Sequence, residues 1–297
     1  MTPRDDPART VPVTGPRALL REAASRLARA GVASPEHDAA ELLAHVLGTT
    51  RSRLPLVDSV APEQSAAFEE LLVRRSAREP LQHLTGTAAF RHVELRVGPG
   101  VFVPRPETEL LAGWAVERAA ERVASARRRP VVVDLCCGSG AIALSLVEEV
   151  PGADVYAVEL DPSAHAWAER NLASSGVDLW LGDMADALPE LDGTVDVVVC
   201  NPPYIPLEAW ASVAAEARDH DPALALWSGD DGLDAMRVLE ATAARLLRPG
   251  GWVGAEHADV QGEAAARVFS ASSRWTEVRD HADLAGRARY VTARLAR

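Results

Sequence analysis

Beyond residue 130, short apolar runs alternate with longer segments in which apolar residues recur every three or four positions. Short runs of mostly β-branched residues are typical of buried parallel strands, and the longer spacing is typical of amphipathic helices. The pattern predicts strands at 131–135, 154–159, 178–181, 195–200 and 251–256, and helices at about 140–149, 162–174, 231–247 and 259–271. Two further runs, 275–279 and 290–295, flank a turn near Gly286 and predict a terminal antiparallel pair. Together these elements predict an α/β fold with a doubly wound, mostly parallel seven-stranded sheet.

The N-terminal third is organised differently. Residues 1–16 are rich in proline and poor in apolar side chains, which predicts a loose tail. Residues 17–79 hold three helical patterns and predict a small helical domain. In residues 80–104 apolar residues stand among glycines and turn residues, which indicates a hairpin linker rather than a helix. A helix predicted from Thr108 to Arg127 then opens a larger domain, 105–297.

Charge and cysteine content narrow the functional classes. The net charge is −12, and residues 1–85 are balanced, so the acidic excess lies in residues 86–297. A groove for a nucleic-acid backbone has the opposite sign, so no direct nucleic-acid substrate is expected. Three cysteines without a CxxC pair and eight scattered histidines predict neither a disulfide framework nor a metal site.

The same composition bears on location. No run of eighteen apolar residues is present, and the first residues lack the basic, then apolar, pattern of a signal peptide. We therefore expect a cytoplasmic protein with no membrane partner.

The segment Asn201-Pro202-Pro203-Tyr204 follows a valine-rich run at the predicted carboxyl end of a strand, where open α/β sheets bind their ligands. The asparagine side-chain oxygen and a proline carbonyl can both accept hydrogen bonds from one NH2 group, and two prolines restrict the backbone that carries them. The tyrosine ring offers a flat face to a planar substrate. The segment predicts a site that holds an amide or amino nitrogen for methyl transfer, with a simple proline-rich strand exit as the alternative.

A glycine-containing loop joins the strand at 131–135 to the next helix; its residues are Cys136, Cys137, Gly138, Ser139 and Gly140. Its glycines allow a tight turn and a close approach to a ligand. The loop lacks the third glycine of a dinucleotide-binding loop, and the chain has no lysine and hence no P-loop. The loop therefore suits a nucleoside without phosphates.

Two other strand ends extend this site. Glu159 ends the second strand, where a carboxylate can accept both hydroxyls of a ribose. After the third strand, Asp183 can reach an adenine amino group and Met184 can pack on the ring. Because these loops converge with Asn201 at one edge of the sheet, the sequence predicts S-adenosylmethionine as the cofactor.

Several segments resemble the class I methyltransferases, and among them the protein-(glutamine-N5) methyltransferases of peptide chain release factors. They are EPLQHLTG at 79–86, VFVPRPETE at 101–109, the Asn201–Tyr204 segment, EARDHDPALAL at 216–226, LRPGGW at 247–252 and DLAGRAR at 283–289. The resemblance covers about residues 17–297. The loop departs from the family's usual Gly-Thr-Gly-Ser-Gly, because Cys136 and Cys137 hold its first two positions. Glu159 stands where the family more often has aspartate.

The resemblance implies a Rossmann-like domain that transfers a methyl group from S-adenosylmethionine to the glutamine N5 of the Gly-Gly-Gln motif in class I release factors. It implies that Asn201 Oδ1 and the Pro202 carbonyl accept hydrogen bonds from the substrate amide, and that Asn201 also borders the cofactor. Pro203, Tyr204 and Phe102 would complete the substrate site. The helical domain would dock the protein substrate.

Three alternatives stay open from the sequence. A glutamine methyltransferase of a ribosomal protein would have very similar motifs. An adenine-N6 or guanine-N2 nucleic-acid methyltransferase uses the same Asn-Pro-Pro-Tyr segment, although the acidic excess argues against it. A non-catalytic cofactor-binding scaffold is the third. The segment 105–109 is also open, between a simple helix N-terminus and part of the site lining.

Overall fold

The chain forms two compact units, Met1–Thr85 and Gly86–Arg297. The structure, a computed structural model, describes residues 15–125 and 128–297. The predicted tail, 1–16, therefore lies almost wholly outside the described residues, as do the last two residues of the helix predicted to end at Arg127. No helix in the described ranges is long and apolar enough to cross a membrane.

The first unit is helical. It contains α1 (Pro16–Arg29), α2 (Pro35–Val46), α3 (Pro62–Ser76) and α4 (Leu81–Thr85), with a 3₁₀ turn at Arg51–Leu56. The first three helices begin with proline, whose fixed φ suits the first helical position and whose missing N–H is not needed there. Their apolar faces form one core around Leu27, Leu42, Leu43 and Phe68.

Helix α4 corrects one prediction, because its residues belong to the span predicted as a hairpin linker without a helix. His83 and Leu84 donate backbone hydrogen bonds to the Pro80 carbonyl at 3.1 and 3.2 Å, which starts the helical turn. Leu84 is buried in the core of the helical unit. Tertiary burial of these residues outweighs the turn-like composition around them. The predicted hairpin itself follows as β1 (Thr87–Phe90) paired antiparallel with β2 (Val93–Arg96).

The second unit contains a seven-stranded sheet between two helical layers. Its elements are α5 (Thr108–Ser125), β3 (Val131–Leu135), α6 (Ala141–Glu149), β4 (Asp154–Glu159), α7 (Pro162–Leu172), β5 (Asp178–Leu181), β6 (Val195–Cys200), α8 (Ala215–His220), α9 (Asp234–Leu246), β7 (Leu247–Glu256), α10 (Gly262–Ser270), β8 (Trp275–Ala282) and β9 (Ala288–Leu295). The strand order is β5-β4-β3-β6-β7-β9-β8, with β3 to β7 parallel and β9 antiparallel to both neighbours. The predicted fold class is confirmed.

This order places the ligand-binding edge. The chain leaves β3 toward β4 on one side and returns as β6 on the other side of β3, so the two crossover directions diverge between β3 and β6. Ligands of open α/β sheets bind at such a divergence, outside the carboxyl ends of the strands. Both faces of the sheet are covered by apolar cores, which explains why every residue of Val195–Cys200 is buried and why five of the six are apolar.

Candidate active site

A cavity of about 470 Å³ opens at the carboxyl ends of β3, β4, β5 and β6. Its volume is in the range of small-molecule sites. The predicted site residues that line it are Phe102, Cys136, Cys137, Gly138, Ser139, Glu159, Asp183, Met184, Asn201, Pro203 and Tyr204. Two predicted residues, Gly140 and Pro202, are not among the lining residues. The fold thus brings loops from four strand ends to one cavity.

The loop after β3 has an unusual first residue. Cys136 has a φ of 58°, in the left-handed region that favours glycine. The loop is held by backbone hydrogen bonds, because Cys137 N donates to Val158 O at 2.9 Å and Ala143 N donates to the buried Asp134 carboxylate at 3.0 Å. Gly140 has a structural role: a Cβ there would lie 3.0 Å from Leu172, so glycine allows α6 to approach α7.

Glu159 is buried at the edge of the cavity and organises the loops beside it. Its carboxylate accepts hydrogen bonds from Gly138 N at 2.7 Å and from Asp161 N at 2.9 Å. Burial raises the pKa of Glu159 above its usual range, and these backbone donors oppose that rise. A carboxylate has about four acceptor positions, so both oxygens keep capacity for a ligand's hydroxyl groups.

The cysteines at the site are packed thiols. Burial raises the pKa of Cys137 and Cys200 well above the usual thiol range, so neither is a thiolate at neutral pH. The Cys136 sulfur lies 3.9 Å from the Met184 sulfur on the next loop. Asp183 is exposed and accepts a hydrogen bond from Ala185 N at 2.9 Å, which shapes the loop that carries Met184.

The amide of Asn201 has a defined orientation. Its Nδ2 donates to the hydroxyl of Thr108, a buried residue at the start of α5, at 3.1 Å. The amide oxygen is therefore the group that can accept a hydrogen bond in the cavity. An acceptor at this position matches the chemistry predicted for the Asn201–Tyr204 segment.

Tyr204 is fixed at both its hydroxyl and its backbone. The hydroxyl donates to the carboxylate of Glu256, at the end of β7, at 3.2 Å. The Tyr204 carbonyl accepts from Gln261 Nε2 at 3.0 Å, and a Cβ at Gly232 would lie 2.3 Å from that carbonyl. Burial raises the pKa of Tyr204, which keeps its hydroxyl protonated at neutral pH. The ring is thus a rigid neutral wall of the cavity.

The segment 105–109 contributes directly to the cavity lining, through Arg105 and Thr108. Arg105 donates to the buried carboxylate of Asp221 at 2.7 Å and lies over the Phe102 ring at 5.0 Å. Burial of Asp221 raises its pKa to about 6, although the Arg105 guanidinium opposes the rise. The ion pair joins the segment before α5 to the loop after α8.

Comparisons with known proteins match this architecture. A family model described as the PrmC N-terminal domain matches residues 18–86, and one described as a methyltransferase domain matches residues 132–220. A release factor glutamine methyltransferase of Streptomyces coelicolor is 54% identical over 281 residues, which cover 94% of this chain and 98% of that relative. The chain belongs to the release factor glutamine methyltransferase family.

Two other relatives of the family are informative. A release factor glutamine methyltransferase of Mycolicibacterium smegmatis is 49% identical, over 95% of this chain and 98% of that relative. A protein of Streptomyces pristinaespiralis is 41% identical, over 86% of this chain and 88% of its own length, and is named 4-amino-L-phenylalanine/4-methylamino-L-phenylalanine methyltransferase. The resemblance drawn from the motifs is confirmed.

S-adenosylmethionine is the methyl donor in this family, and the cavity fits it. The two Glu159 oxygens match a ribose, the backbone from Cys136 to Ser139 borders the cavity without a bulky side chain, and Met184 gives an apolar contact for a ring. The bound donor supplies an electrophilic methyl group on a sulfonium. The protein's own residues then have to hold and orient the nitrogen that receives it.

Sequence reasoning missed part of the family's site in this chain. Thr108, Glu256 and Gln261 hydrogen-bond to the Asn201–Tyr204 segment. Thr108 belongs to the segment 105–109, whose part in the site the sequence left open, whereas Glu256 and Gln261 were not predicted as site residues. Glu256 carried a usable signal, because an acid at the carboxyl end of an apolar strand belongs to the ligand-binding edge of a parallel sheet. Gln261 carried none, since its contacts are to backbone carbonyls of loops distant in sequence.

Proposed function

We propose that this protein transfers a methyl group from S-adenosylmethionine to the side-chain nitrogen N5 of the glutamine in the Gly-Gly-Gln motif of class I peptide chain release factors. Family membership supports the proposal, because relatives over nearly the full length carry the name release factor glutamine methyltransferase. One structural observation carries it. The hydrogen bond from Asn201 Nδ2 to Thr108 leaves Asn201 Oδ1 as an acceptor at the cavity, suited to an NH2 group.

The chemistry requires polarisation as well as positioning. An amide nitrogen is a weak nucleophile because its lone pair is delocalised into the carbonyl. A hydrogen bond from one of its N–H groups to Asn201 Oδ1, at the cavity, draws electron density toward nitrogen and orients it. The resemblance adds the Pro202 carbonyl as a second acceptor, although Pro202 is not among the residues that line the cavity. Tyr204 and Phe102 border the cavity and can hold the amide plane between them. Placing the two reacting atoms about 3 Å apart accounts for much of the rate enhancement.

No general base is needed in this scheme. Once methylated, the nitrogen carries a positive charge and becomes strongly acidic, so its proton passes to water. The two cysteines with raised pKa values are neutral thiols and take no part in the reaction. The work of the protein is therefore to orient the amide and to exclude competing water.

The helical unit, covering the predicted domain 17–79, is proposed to dock the release factor. It has its own apolar core, and its match to the PrmC N-terminal domain supports a role shared within the family. Release factors act in the cytoplasm, which is the compartment proposed here. A direct nucleic-acid substrate is not proposed, because the acidic excess lies in the unit that contains the cavity.

Mass spectrometry of a purified class I release factor, after incubation with the protein and S-adenosylmethionine, tests the proposal. We expect a single methyl group on the Gly-Gly-Gln glutamine with wild type and a loss of at least about a hundredfold in rate with Asn201→Ala. Unchanged melting temperature and cofactor affinity of that variant would show that the loss is in catalysis. Ribosomal protein, nucleic acid and 4-amino-L-phenylalanine serve as competing substrates.

The result for each substrate has a distinct meaning. Methylation of 4-amino-L-phenylalanine but not of the release factor would contradict the proposal and place the chain with its Streptomyces pristinaespiralis relative. Methylation of ribosomal protein or nucleic acid alone would retain the fold and cofactor and reject the substrate. Full activity of Asn201→Ala would reject the role of Asn201.

A further inference from the structure

A buried carboxylate, that of Glu256, accepts a hydrogen bond from Tyr204, whose side chain borders the cavity. Glu256 ends β7 and is 2% exposed. In the sheet register Ala255 lies beside Cys200, so Glu256, the last residue of β7, stands level with Asn201, the first residue after β6. Glu256 is not among the residues that line the cavity, so it cannot touch the substrate directly.

The hydrogen bonds around this carboxylate have a consistent direction. The Tyr204 hydroxyl donates to Glu256 Oε1. The other oxygen, Oε2, is buried without a hydrogen-bond partner among the described residues. The Thr108 hydroxyl accepts from Asn201 Nδ2, so its own hydrogen is available to this carboxylate, and Thr108 acts with Tyr204 to hold down the pKa of Glu256. An ionised carboxylate only accepts, so it sets the direction of both hydroxyl groups.

We propose that Glu256 is a positioning residue for methyl transfer: as a carboxylate it fixes Asn201 through Thr108, and it fixes the Tyr204 ring through the hydroxyl. This inference rests on the proposed function. With Glu256 ionised, the Thr108 lone pairs face Asn201 Nδ2 and the amide oxygen faces the substrate. A neutral side chain at 256 can donate to Thr108, which reverses the hydroxyl and removes the preference for this amide orientation.

The charges around Glu256 connect this network to pH. Burial raises the pKa of Glu256 to about 7, and the carboxylate of Glu107 adds to the rise. The Arg289 guanidinium lowers it and is itself paired with Asp283 at 3.0 Å. The other titratable groups nearby are His257, whose ring lies 3.0 Å from the Asp280 carboxylate, and the Arg105–Asp221 pair near Tyr204. Protonation of Glu256 therefore removes this hydrogen-bond acceptor around pH 7, within the range in which many enzymes are assayed.

Steady-state methylation of a release factor between pH 5.5 and 8.5 tests the inference, with wild type and Glu256→Gln compared. Glutamine keeps the size of the side chain but can accept with only one of its two end groups. We expect kcat to fall by about ten- to a hundredfold while KM and cofactor affinity stay within about twofold. We also expect wild-type activity to fall below an apparent pKa near 7. In Glu256→Gln the fall in activity with an apparent pKa near 7 is absent. A fall in activity that remains in the variant has an apparent pKa near 6, where Asp221 titrates.

A matched control comes from a second buried glutamate. Glu240 on α9 accepts from the Trp275 indole N–H at 2.6 Å and lies outside the cavity lining. Glu240→Gln makes the same chemical change beside another aromatic donor, and it should leave kcat and the acidic limb of methyl transfer unchanged. If the fall in activity below pH 7 disappeared in both Glu256→Gln and Glu240→Gln, the effect would be one of stability, and the proposal would be overturned.

Thr108→Val provides a second route that does not alter Glu256. If both residues act through one network, the double variant Thr108→Val with Glu256→Gln is no less active than the less active of the two single variants. Additive losses would overturn the positioning role, as would an unchanged acidic limb in Glu256→Gln while wild type is active. Absence of methylation by wild type would instead reject the proposed function, and this inference with it.

Discussion

Cys136 occupies a backbone conformation that glycine adopts at lower cost. With a φ of 58° it stands in the left-handed region, where a side chain crowds the backbone. Its thiol lies against Met184 and borders the cavity, so the residue exchanges local strain for packing. The departure from the family's usual glycine at this position therefore places a side chain in a strained backbone conformation, while hydrogen bonds hold the loop around it.

Replacing Cys136 by glycine should stabilise the protein. We expect Cys136→Gly to raise the free energy of unfolding by about 1 kcal/mol, because removal of the Cβ relieves the strain and outweighs the lost thiol contact. Cys137 is buried and has no positive φ, so Cys137→Gly should destabilise by a similar amount. Urea denaturation of the two variants checks both signs. A less stable Cys136→Gly would show that thiol packing, not strain, dominates at this position.

Glu256 should carry a stability cost that is separate from its role in the reaction. The pKa of Glu256 is about 7 in the folded protein against 4.5 for an unperturbed glutamate, so the folded state binds more protons between these pH values. The free energy of unfolding therefore falls as pH rises through this window, by about 3 kcal/mol for this group, and levels off above 7. Glu256→Gln has no such group to ionise.

The stability difference between Glu256→Gln and wild type should accordingly shift toward the variant by about 3 kcal/mol from pH 4.5 to pH 8. Denaturant unfolding at several pH values measures this difference, in which the other titrating groups common to both proteins cancel. A variant that is more stable at pH 8 and yet less active would separate the cost of burying the carboxylate from its benefit. A pH-independent difference would mean that Glu256 does not titrate with a raised pKa.

At the level of elements, hydrophobic periodicity predicted strands and helices correctly where burial determines the local structure. The strands Val131–Leu135, Asp154–Glu159 and Val195–Cys200 have the predicted bounds because the sheet buries most of their residues, which favours apolar side chains. The edge strand Asp178–Leu181 has the predicted bounds as well, although most of its residues are exposed. The prediction that no helix is present at Leu81–Thr85 was wrong, because this short helix depends on packing into a core formed by other helices. Helix Ala215–His220 and its neighbouring 3₁₀ turns were not predicted, since they have too few residues to show a period.

The residues of the site fall into two similar groups, those placed by the sheet topology and those placed by single contacts between distant segments. Residues at a strand end or directly after it, such as Glu159 and Asn201, could be placed at one edge of the sheet from sequence because topology alone brings strand ends together. The supporting contacts of Thr108 and Gln261 could not, because they join segments separated by 93 and 57 residues through single hydrogen bonds. Such contacts depend on side-chain geometry that a linear pattern does not contain.

The whole molecule joins two units that differ in core and in charge. The helical unit has its own apolar core, and the sheet unit has two cores that flank the strands. The cavity and its supporting hydrogen bonds are all formed by residues from Phe90 onward. Cofactor binding and amide orientation should therefore belong to the sheet unit, and recognition of a folded protein substrate to the helical unit.

A chain restricted to residues 86–297 separates these two roles. We expect it to fold and to bind S-adenosylmethionine within about threefold of the full chain, because it retains every residue that lines the cavity. Its kcat/KM for a folded release factor should fall by at least about a hundredfold, the loss expected when a remote docking contribution of about 3 kcal/mol is removed. Both chains should methylate a short peptide that contains Gly-Gly-Gln at the same slow rate, since that peptide can engage only the cavity.

Calorimetry gives the cofactor affinity, circular dichroism shows that the shortened chain is folded, and mass spectrometry compares the two substrates. Equal loss on peptide and release factor would mean that the helical unit supports the cavity itself, whereas full activity of the shortened chain on the release factor would remove the docking role altogether.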